Sequence, residues 1–136
     1  MGGAKPFFDT NILLYLLSND DAKADRAEEL LGAGGVVSVQ VLNEFTSVAT
    51  RKLSMPIAEV REVLNTVRAI CRVDPLTVEI HDRGLDIVER YRFSLYDAMI
   101  VASALLGECP TLYSENLQSR QRIDDQLTII NPFETA

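Results

Sequence analysis

The sequence has only two cysteines and one histidine among its 136 residues. Cys71 and Cys109 lie far apart and form no Cys-x-x-Cys pair, so neither a disulfide framework nor a structural zinc site is expected. We expect both to be reduced, largely buried thiols. His81 lies within a predicted helix among charged neighbours, where a solvated side chain is expected rather than a metal ligand.

The chain also lacks an excess of basic residues and any long apolar run. Its net charge is −7, which argues against a protein that simply coats nucleic acid, since such proteins carry a basic surface. An enzyme with an acidic metal pocket remains compatible with this charge. No apolar stretch approaches the roughly 20 residues of a membrane span, and the first residues lack the apolar region of a signal peptide. We therefore expect a soluble, cytoplasmic protein that does not contact membranes.

Short apolar strands alternate with helices along the whole chain. Strands are predicted at 5–9, 36–39, 72–73, 111–113 and 127–130. Helices are predicted at 11–17, 22–31, 40–52, 56–70, 77–91 and 95–106, the fourth of them capped by Ser54. This alternation predicts a central, mostly parallel sheet covered on both faces. We predict a single domain over residues 1–136 with a three-layer α/β/α architecture.

Acidic and amide side chains occur where these strands end. Asp9 ends the first strand, Glu44 lies early in the helix after the second, and Asn116 follows the strand at 111–113. Asp97 opens the helix that precedes that strand. Because ligands of open parallel sheets gather at the carboxyl ends of the strands, we expect these side chains to meet at one edge.

Each carboxylate also has a purely structural interpretation. Asp9 could cap the helix that follows it, although Asn11 could do so equally well. Ser94-x-x-Asp97 fits a capping pattern, yet Asp97 opens a helix that is apolar on most sides and is expected deep in the fold. Glu44 lies at the border of an apolar helical stripe, where an unpaired charge is costly and needs a partner.

Convergence of three carboxylates would have an electrostatic consequence. Within about 5 Å, each like-charge pair costs about 3 kcal/mol at an effective dielectric constant of about 20. The group would therefore either take up protons or bind a cation. Ligands that are all oxygen select a hard ion, so Mg²⁺ is the expected occupant, with Mn²⁺ as a possible substitute.

Four segments together resemble the ordered motifs of PIN domains: Phe8-Asp9-Thr10-Asn11, Asn43-Glu44, Tyr96-Asp97-Ala98-Met99-Ile100 and Ser114-Glu115-Asn116-Leu117. The resemblance is to the VapC-type toxin ribonucleases of bacterial toxin–antitoxin pairs, and it covers essentially the whole chain. It rests on the order and spacing of the motifs, since none is specific alone. It implies a Mg²⁺-dependent endoribonuclease, the toxin of a type II toxin–antitoxin system, which cleaves RNA phosphodiester bonds, binds a cognate antitoxin and forms a homodimer.

The resemblance also implies roles for individual residues. Asp9, Glu44 and Asp97 match the catalytic, metal-binding acids of the family. Supporting positions around them are Thr10, Asn11, Ser114 and Glu115, of which the two hydroxyl residues match groups that hold the site by hydrogen bonding.

Asn116 is the one clear departure from the family pattern. It stands where the family usually has a further aspartate. An amide oxygen can ligate Mg²⁺ or hold a bound water, but it brings no charge, so a tightly held second metal ion is not implied. Glu115 could compensate, although in the family pattern it flanks the site.

The implied reaction is metal-assisted hydrolysis. We hypothesise that Asp9 and Asp97 hold one Mg²⁺, and that Glu44 binds it through water or positions the nucleophile; Glu44 or Asp97 could accept the proton of the water. Cations must line the approach of RNA to an acidic pocket. The candidates are Arg51, Lys52, Arg120 and Arg122, with Lys5 as a further one.

Three other interpretations compete with this one. A phosphotransferase of the haloacid-dehalogenase type would need a second acid two residues after Asp9, where the chain has Asn11. A receiver-like phosphorylation domain would need an acid pair at the first strand. The third is a catalytically weak or inactive PIN fold that acts as an RNA-binding or interaction module, which Asn116 favours. Retention of three mutually repelling acids argues against it.

Overall fold

The computed structural model describes residues 4–134, and its centre is a six-stranded sheet in the order β3-β2-β1-β4-β6-β5. All neighbouring strands are parallel except β5, which runs antiparallel to β6. The strands are β1 (Phe7–Phe8), β2 (Gly35–Ser38), β3 (Cys71–Asp74), β4 (Thr111–Tyr113), β5 (Arg122–Ile123) and β6 (Leu127–Ile130). The predicted bounds of the domain at residues 1 and 136 lie outside the described residues.

Six α-helices connect the strands and cover both faces of the sheet, which confirms the predicted α/β/α architecture. They are α1 (Thr10–Leu14), α2 (Asp21–Gly32), α3 (Val39–Lys52), α4 (Ile57–Ile70), α5 (Val78–Tyr91) and α6 (Leu95–Leu106). Side-chain oxygens of Ser38, Thr77 and Ser94 cap α3, α5 and α6. Helix α6 is buried from Ala98 to Leu105, because this stretch is apolar at every position except Ser103.

The order of the strands reverses direction at β1. The chain first places β2 and β3 on one side of β1 and then returns to place β4 on the other side. The carboxyl ends of β1 and β4 therefore flank a topological switch point, where adjoining connections leave in opposite directions and open a crevice. Asp9 follows β1 directly, and Ser114 follows β4 directly.

The core lies between the sheet and its helices. Phe7, Phe8, Val37 and Leu112 on the central strands are fully buried, and Phe45 of α3 packs against them. Complete burial of such side chains contributes about 1.5–3 kcal/mol each. The carboxyl ends of β1 and β4 are thus supported by fully buried core side chains.

Several predicted details are wrong. The predicted helix over 11–17 divides into α1 and a 3-10 turn at Tyr15–Leu17. Ser54 does not cap α4, because its backbone is left-handed (φ 53°) and Pro56 occupies the N-cap position instead. The edge strand β5 was not predicted. Two residues are too few for a hydrophobic pattern, and the only signal is the turn after it, where Asp124 has a positive φ that aspartate tolerates.

The cysteines agree with the sequence prediction. Cys71 and Cys109 are free and buried, and burial raises the pKa of each thiol to about 11. His81 is exposed on α5, also as predicted. Within residues 4–134, no helix has the length and apolar character needed to cross a membrane.

Gly35 is expected to be essential for stability. A β-carbon there would lie 2.7 Å from the carbonyl oxygen of Pro6 and would also overlap the ring of Phe8. Gly35→Ala should therefore lower the free energy of unfolding by about 2–3 kcal/mol, the cost of overpacking a core that cannot yield. Urea denaturation measures this. Gly32→Ala is the matched control, because a β-carbon at Gly32 meets nothing, and we expect it to be neutral or stabilising.

Candidate active site

Asp9, Glu44 and Asp97 line one cavity of about 350 Å³ next to the carboxyl end of β1. They come from the β1–α1 turn, from α3 and from the first turn of α6. The chain thus brings together three acids that are up to 88 residues apart (97 − 9). The other residues that line the cavity are Thr10, Asn11, Leu14, Ser47, Val48, Arg51 and Asn116.

Asp9 is the most buried of the three acids, with 5% of its surface exposed. One carboxylate oxygen caps α1 by accepting the backbone N–H of Thr10 at 2.7 Å, and the other accepts the hydroxyl of Ser114 at 2.8 Å. The pKa of Asp9 is raised from 3.8 to about 6, chiefly by burial and to a smaller extent by the charges of Asp97 and Glu44, while the two hydrogen bonds act to lower it. Asp9 therefore caps α1, and its surroundings disfavour the charged form of its carboxylate.

Asn11 does not cap α1, so the idea that it frees Asp9 from this role is wrong. The backbone N–H of Thr10 lies nearest to Asp9, the residue that immediately precedes the helix. The Asn11 side-chain oxygen instead accepts the backbone N–H of Glu115 at 3.1 Å. It thereby joins the turn after β1 to the loop after β4.

Glu44 is half-buried on α3 and has two hydrogen-bond donors. Thr10 Oγ1 donates to Glu44 Oε1 at 2.6 Å, and Gln40 Nε2 donates to Glu44 Oε2 at 3.2 Å. The sequence predicted that the Glu44 carboxylate needs a partner, and in the structure two neutral hydrogen-bond donors fill this role. Gln40 was missed at the sequence level, although a glutamine four residues before a glutamate on one helical face is a recognisable signal.

Asp97 is half-buried, which corrects the expectation that it lies deep in the fold. The first turn of α6 emerges from the core, and burial of the helix begins at Ala98. The hydroxyl of Ser94 accepts the backbone N–H of Asp97 at 3.4 Å, so the predicted cap is present. The carboxylate lines the cavity and its charge acts on Asp9.

The loop after β4 sends Asn116 and Glu115 in different directions. Asn116 lines the cavity. The Glu115 carboxylate instead lies 3.1 Å from Lys23 Nζ and accepts the hydroxyl of Tyr15. Glu115 therefore does not replace the aspartate that the family usually has at the position of Asn116, because its carboxylate pairs with Lys23 and accepts a hydrogen bond from Tyr15.

Comparison with protein families identifies residues 7–123 as a PIN domain. The chain belongs to the PIN-domain family. No curated protein sequence matches it.

Solved structures with a similar fold include a toxin–antitoxin complex and a toxin. A toxin–antitoxin complex from Klebsiella pneumoniae is 21% identical, with a TM-score of 0.70 over 96% of this chain and 99% of that one. DNA-bound VapBC from Salmonella typhimurium is 19% identical, with a TM-score of 0.67 over 93% and 97%. VapC20 from Mycobacterium tuberculosis, a sarcin–ricin loop cleaving toxin, is 19% identical, with a TM-score of 0.63 over 82% and 89%. At these identities the likeness shows the fold.

Only one of the predicted cations lines the acidic cavity of this PIN domain. Arg51 lies two turns after Glu44 on the same face of α3, and its Nε donates to Ser47 at 3.0 Å. Lys52, the next residue, is exposed and does not line the cavity.

The other predicted cations lie elsewhere. Arg120 lines a separate cavity with Arg26 and Asn131. Arg122 donates to Thr128 at 2.9 Å on the edge of the sheet. Lys5 precedes the amino end of β1, near Gly34. The loop after β4 passes through a left-handed backbone at Arg120 (φ 71°) before it returns as β5, which carries these arginines away from the acids.

The side-chain oxygens that line the cavity are of the chemical type that binds a hard divalent cation. They are carboxylate and amide oxygens, and a cation would relieve the repulsion that helps raise the pKa of Asp9. Among the residues that the structure describes, no three acidic, histidine or cysteine side chains are grouped closely enough to hold a metal ion. Mg²⁺ in proteins is usually held by one or two carboxylates, with waters completing its shell, so the arrangement remains compatible with such an ion.

Proposed function

We propose that this PIN domain is a Mg²⁺-dependent, cytoplasmic endoribonuclease and the toxin of a type II toxin–antitoxin pair. The observation that supports the proposal most is the meeting of Asp9, Glu44 and Asp97 in one cavity, without an ion pair to any of them within residues 4–134. Anions left together in this way favour a bound cation. The solved structures of similar fold support the same assignment, since they include a sarcin–ricin loop cleaving toxin and a toxin–antitoxin complex.

In the proposed reaction, Asp9 and Asp97 would hold Mg²⁺, and Asn116 would contribute an oxygen to the same site. Bound Mg²⁺, which Mn²⁺ could replace, supplies Lewis-acid chemistry by neutralising phosphoryl oxygens and lowering the pKa of water. Glu44 accepts the proton from the attacking water, while Thr10 keeps its carboxylate turned to the cavity. Ser114 fixes the second oxygen of Asp9, so that its position does not have to be set during the reaction.

The proposed substrate is RNA held mainly by its phosphates. Arg51 is the basic side chain that lines the cavity among residues 4–134, and it is suited to a phosphate next to the cleaved bond. Arg120, Arg122 and Lys52 could only contact RNA that extends beyond the cavity.

Charge reversal at Arg51 is expected to weaken cleavage. Arg51→Glu should raise KM for RNA about tenfold at low salt, because a phosphate contact is lost and a repulsion is added. The effect should shrink as salt rises. Arg68→Glu on the exposed surface of α4 makes the same change in net charge away from the cavity and serves as the control. Equal changes in KM in the two variants would show that Arg51 does not contact the RNA substrate.

The proposed partners are a cognate antitoxin and a second copy of the chain. Toxin–antitoxin complexes among the solved structures of this fold support the first. Exposed apolar side chains such as Leu53, Ile57 and Val78 offer surface for either contact. If the homodimer forms, light scattering should give a mass near twice the 15.1 kDa of the chain. A mass equal to that of the monomer would contradict the proposed homodimer.

A cleavage assay tests the proposed activity. Purified protein is incubated with total cellular RNA in EDTA and then with excess Mg²⁺, and cut ends are mapped. We expect defined cuts only with Mg²⁺. Binding of RNA without cleavage at any Mg²⁺ or Mn²⁺ concentration would instead favour the inactive RNA-binding module, and cleavage that persists in EDTA would contradict the metal step.

A further inference from the structure

Gln40 is a buried amide that the proposed reaction does not use. It lies in the first turn of α3, only 5% of its surface is exposed, and it does not line the cavity. A polar side chain at such a position is costly to bury unless its hydrogen bonds are satisfied. Its role must therefore come from the groups that it contacts.

The amide nitrogen of Gln40 links the two helices that carry acids of the site. Nε2 donates to Glu44 Oε2 at 3.2 Å and to the carbonyl oxygen of Tyr96 at 3.0 Å. Tyr96 immediately precedes Asp97. One NH₂ group thus contacts the Glu44 carboxylate on α3 and the backbone of the turn that holds Asp97 on α6.

These two acceptors also determine the orientation of the amide. Rotation by half a turn would set Oε1 against a carboxylate and a carbonyl oxygen, neither of which donates a hydrogen. In the orientation observed, Oε1 is buried and has no hydrogen-bond partner within residues 4–134. An unsatisfied buried acceptor lowers stability, and this cost offsets what the two hydrogen bonds of Nε2 contribute to the fold.

We infer that Gln40 is a positioning residue, which holds Glu44 and the Asp97 turn at a fixed separation; this rests on the proposed function. The neutrality of the amide matters. A lysine or arginine in its place would form an ion pair with Glu44 and compete with a cation for that carboxylate. The amide orients Glu44 together with Thr10, which donates to the other oxygen, and leaves the charge available.

The test uses Gln40→Met, which keeps the length and volume of the side chain and removes the donor. We expect Mn²⁺ affinity measured by calorimetry to fall about tenfold and kcat for RNA cleavage to fall at least as much, the usual range for groups that orient metal ligands. KM for RNA should stay within about twofold, because Gln40 lies outside the cavity. The melting temperature should change little, since removal of the unsatisfied Oε1 offsets the loss of the two hydrogen bonds that Nε2 donates.

Two further variants make the result specific. Gln40→Asn keeps an amide but shortens it by one methylene, so it should lose Mn²⁺ affinity and kcat in the same direction. Gln126→Met makes the same chemical change as Gln40→Met at an exposed position in the β5–β6 turn, and both quantities should remain those of the wild type.

A double-mutant cycle with Glu44→Gln decides whether Gln40 acts through Glu44. In the Glu44→Gln background, Gln40→Met should reduce kcat by clearly less than it does in the wild-type background, while the loss of Mn²⁺ affinity that passes through the Asp97 turn remains. Wild-type affinity and kcat in Gln40→Met, or an equal loss of kcat in the wild-type and Glu44→Gln backgrounds, would overturn the inference alone. Absence of both Mn²⁺ binding and cleavage in the wild-type protein would overturn the proposed function and the inference with it.

Discussion

Asp97→Asn is expected to reduce Mg²⁺-dependent RNA cleavage about a thousandfold while the protein stays folded. The substitution keeps the shape of the side chain and its half-buried position on α6 but removes one of the two charges proposed to hold the cation. A loss of about 4 kcal/mol of transition-state stabilisation corresponds to this factor. The initial rate of cleavage of one mapped RNA site at saturating Mg²⁺ measures it.

The control for Asp97→Asn is a neutral substitution of an acid outside the cavity. Glu115→Gln is suitable, because the Glu115 carboxylate faces Lys23 rather than the cavity. We expect it to retain activity within about fivefold, the size of effect that loss of a partly exposed ion pair can transmit. Wild-type rates in Asp97→Asn would exclude the proposed role of Asp97, whatever Glu115→Gln does.

Asp9→Asn is expected to abolish cleavage as well, yet to stabilise the metal-free protein at neutral pH. The pKa of Asp9 is raised from 3.8 to about 6 by burial, by Asp97 and by Glu44. Between these two values the folded state binds more protons than the unfolded state. The contribution of Asp9 to stability is therefore fully present below pH 3.8 and is lost as the pH rises through about 6. The loss is on the order of 3 kcal/mol.

Urea denaturation in EDTA between pH 4 and pH 7.5 measures this linkage. Asp9→Asn should match the wild type near pH 4 and exceed it by about 2–3 kcal/mol at pH 7.5. Asp25→Asn, on the exposed surface of α2, is the control for loss of one charge and should show no such divergence. Saturating Mg²⁺ at pH 7.5 should reverse the order, because it stabilises only a protein that binds it. If the stability of Asp9→Asn and of the wild type changed in parallel with pH, the pKa of Asp9 would not be raised in the folded protein.

Much of the fold could be predicted because its elements are long or strongly patterned. Helix α6 is apolar on most sides, and β2 is a run of small and β-branched residues, so both were recognisable from composition. The meeting of Asp9 and Asp97 also followed from physical reasoning, since the carboxyl ends of parallel strands lie at one edge.

The remaining features depend on contacts that a local pattern does not contain. Arg51 could be placed near Glu44 because both lie on one helix, whereas the position of Arg120 depends on a left-handed backbone in a loop. The strand β5 forms through antiparallel backbone pairing with β6, and no local sequence pattern specifies it. The link from Gln40 to Tyr96 joins residues 56 positions apart, and nothing in either segment indicates it.

The central claim is that distant acids of this PIN domain share one divalent ion, and a crystal soaked in Mn²⁺ tests it most directly. Anomalous diffraction at the manganese edge locates the ion without reference to activity. The account predicts one strong peak in the cavity within about 2.3 Å of carboxylate oxygens of Asp9 and Asp97, and its absence in crystals of Asp9→Asn. An empty cavity at saturating Mn²⁺, or a peak that persists in Asp9→Asn, would contradict it.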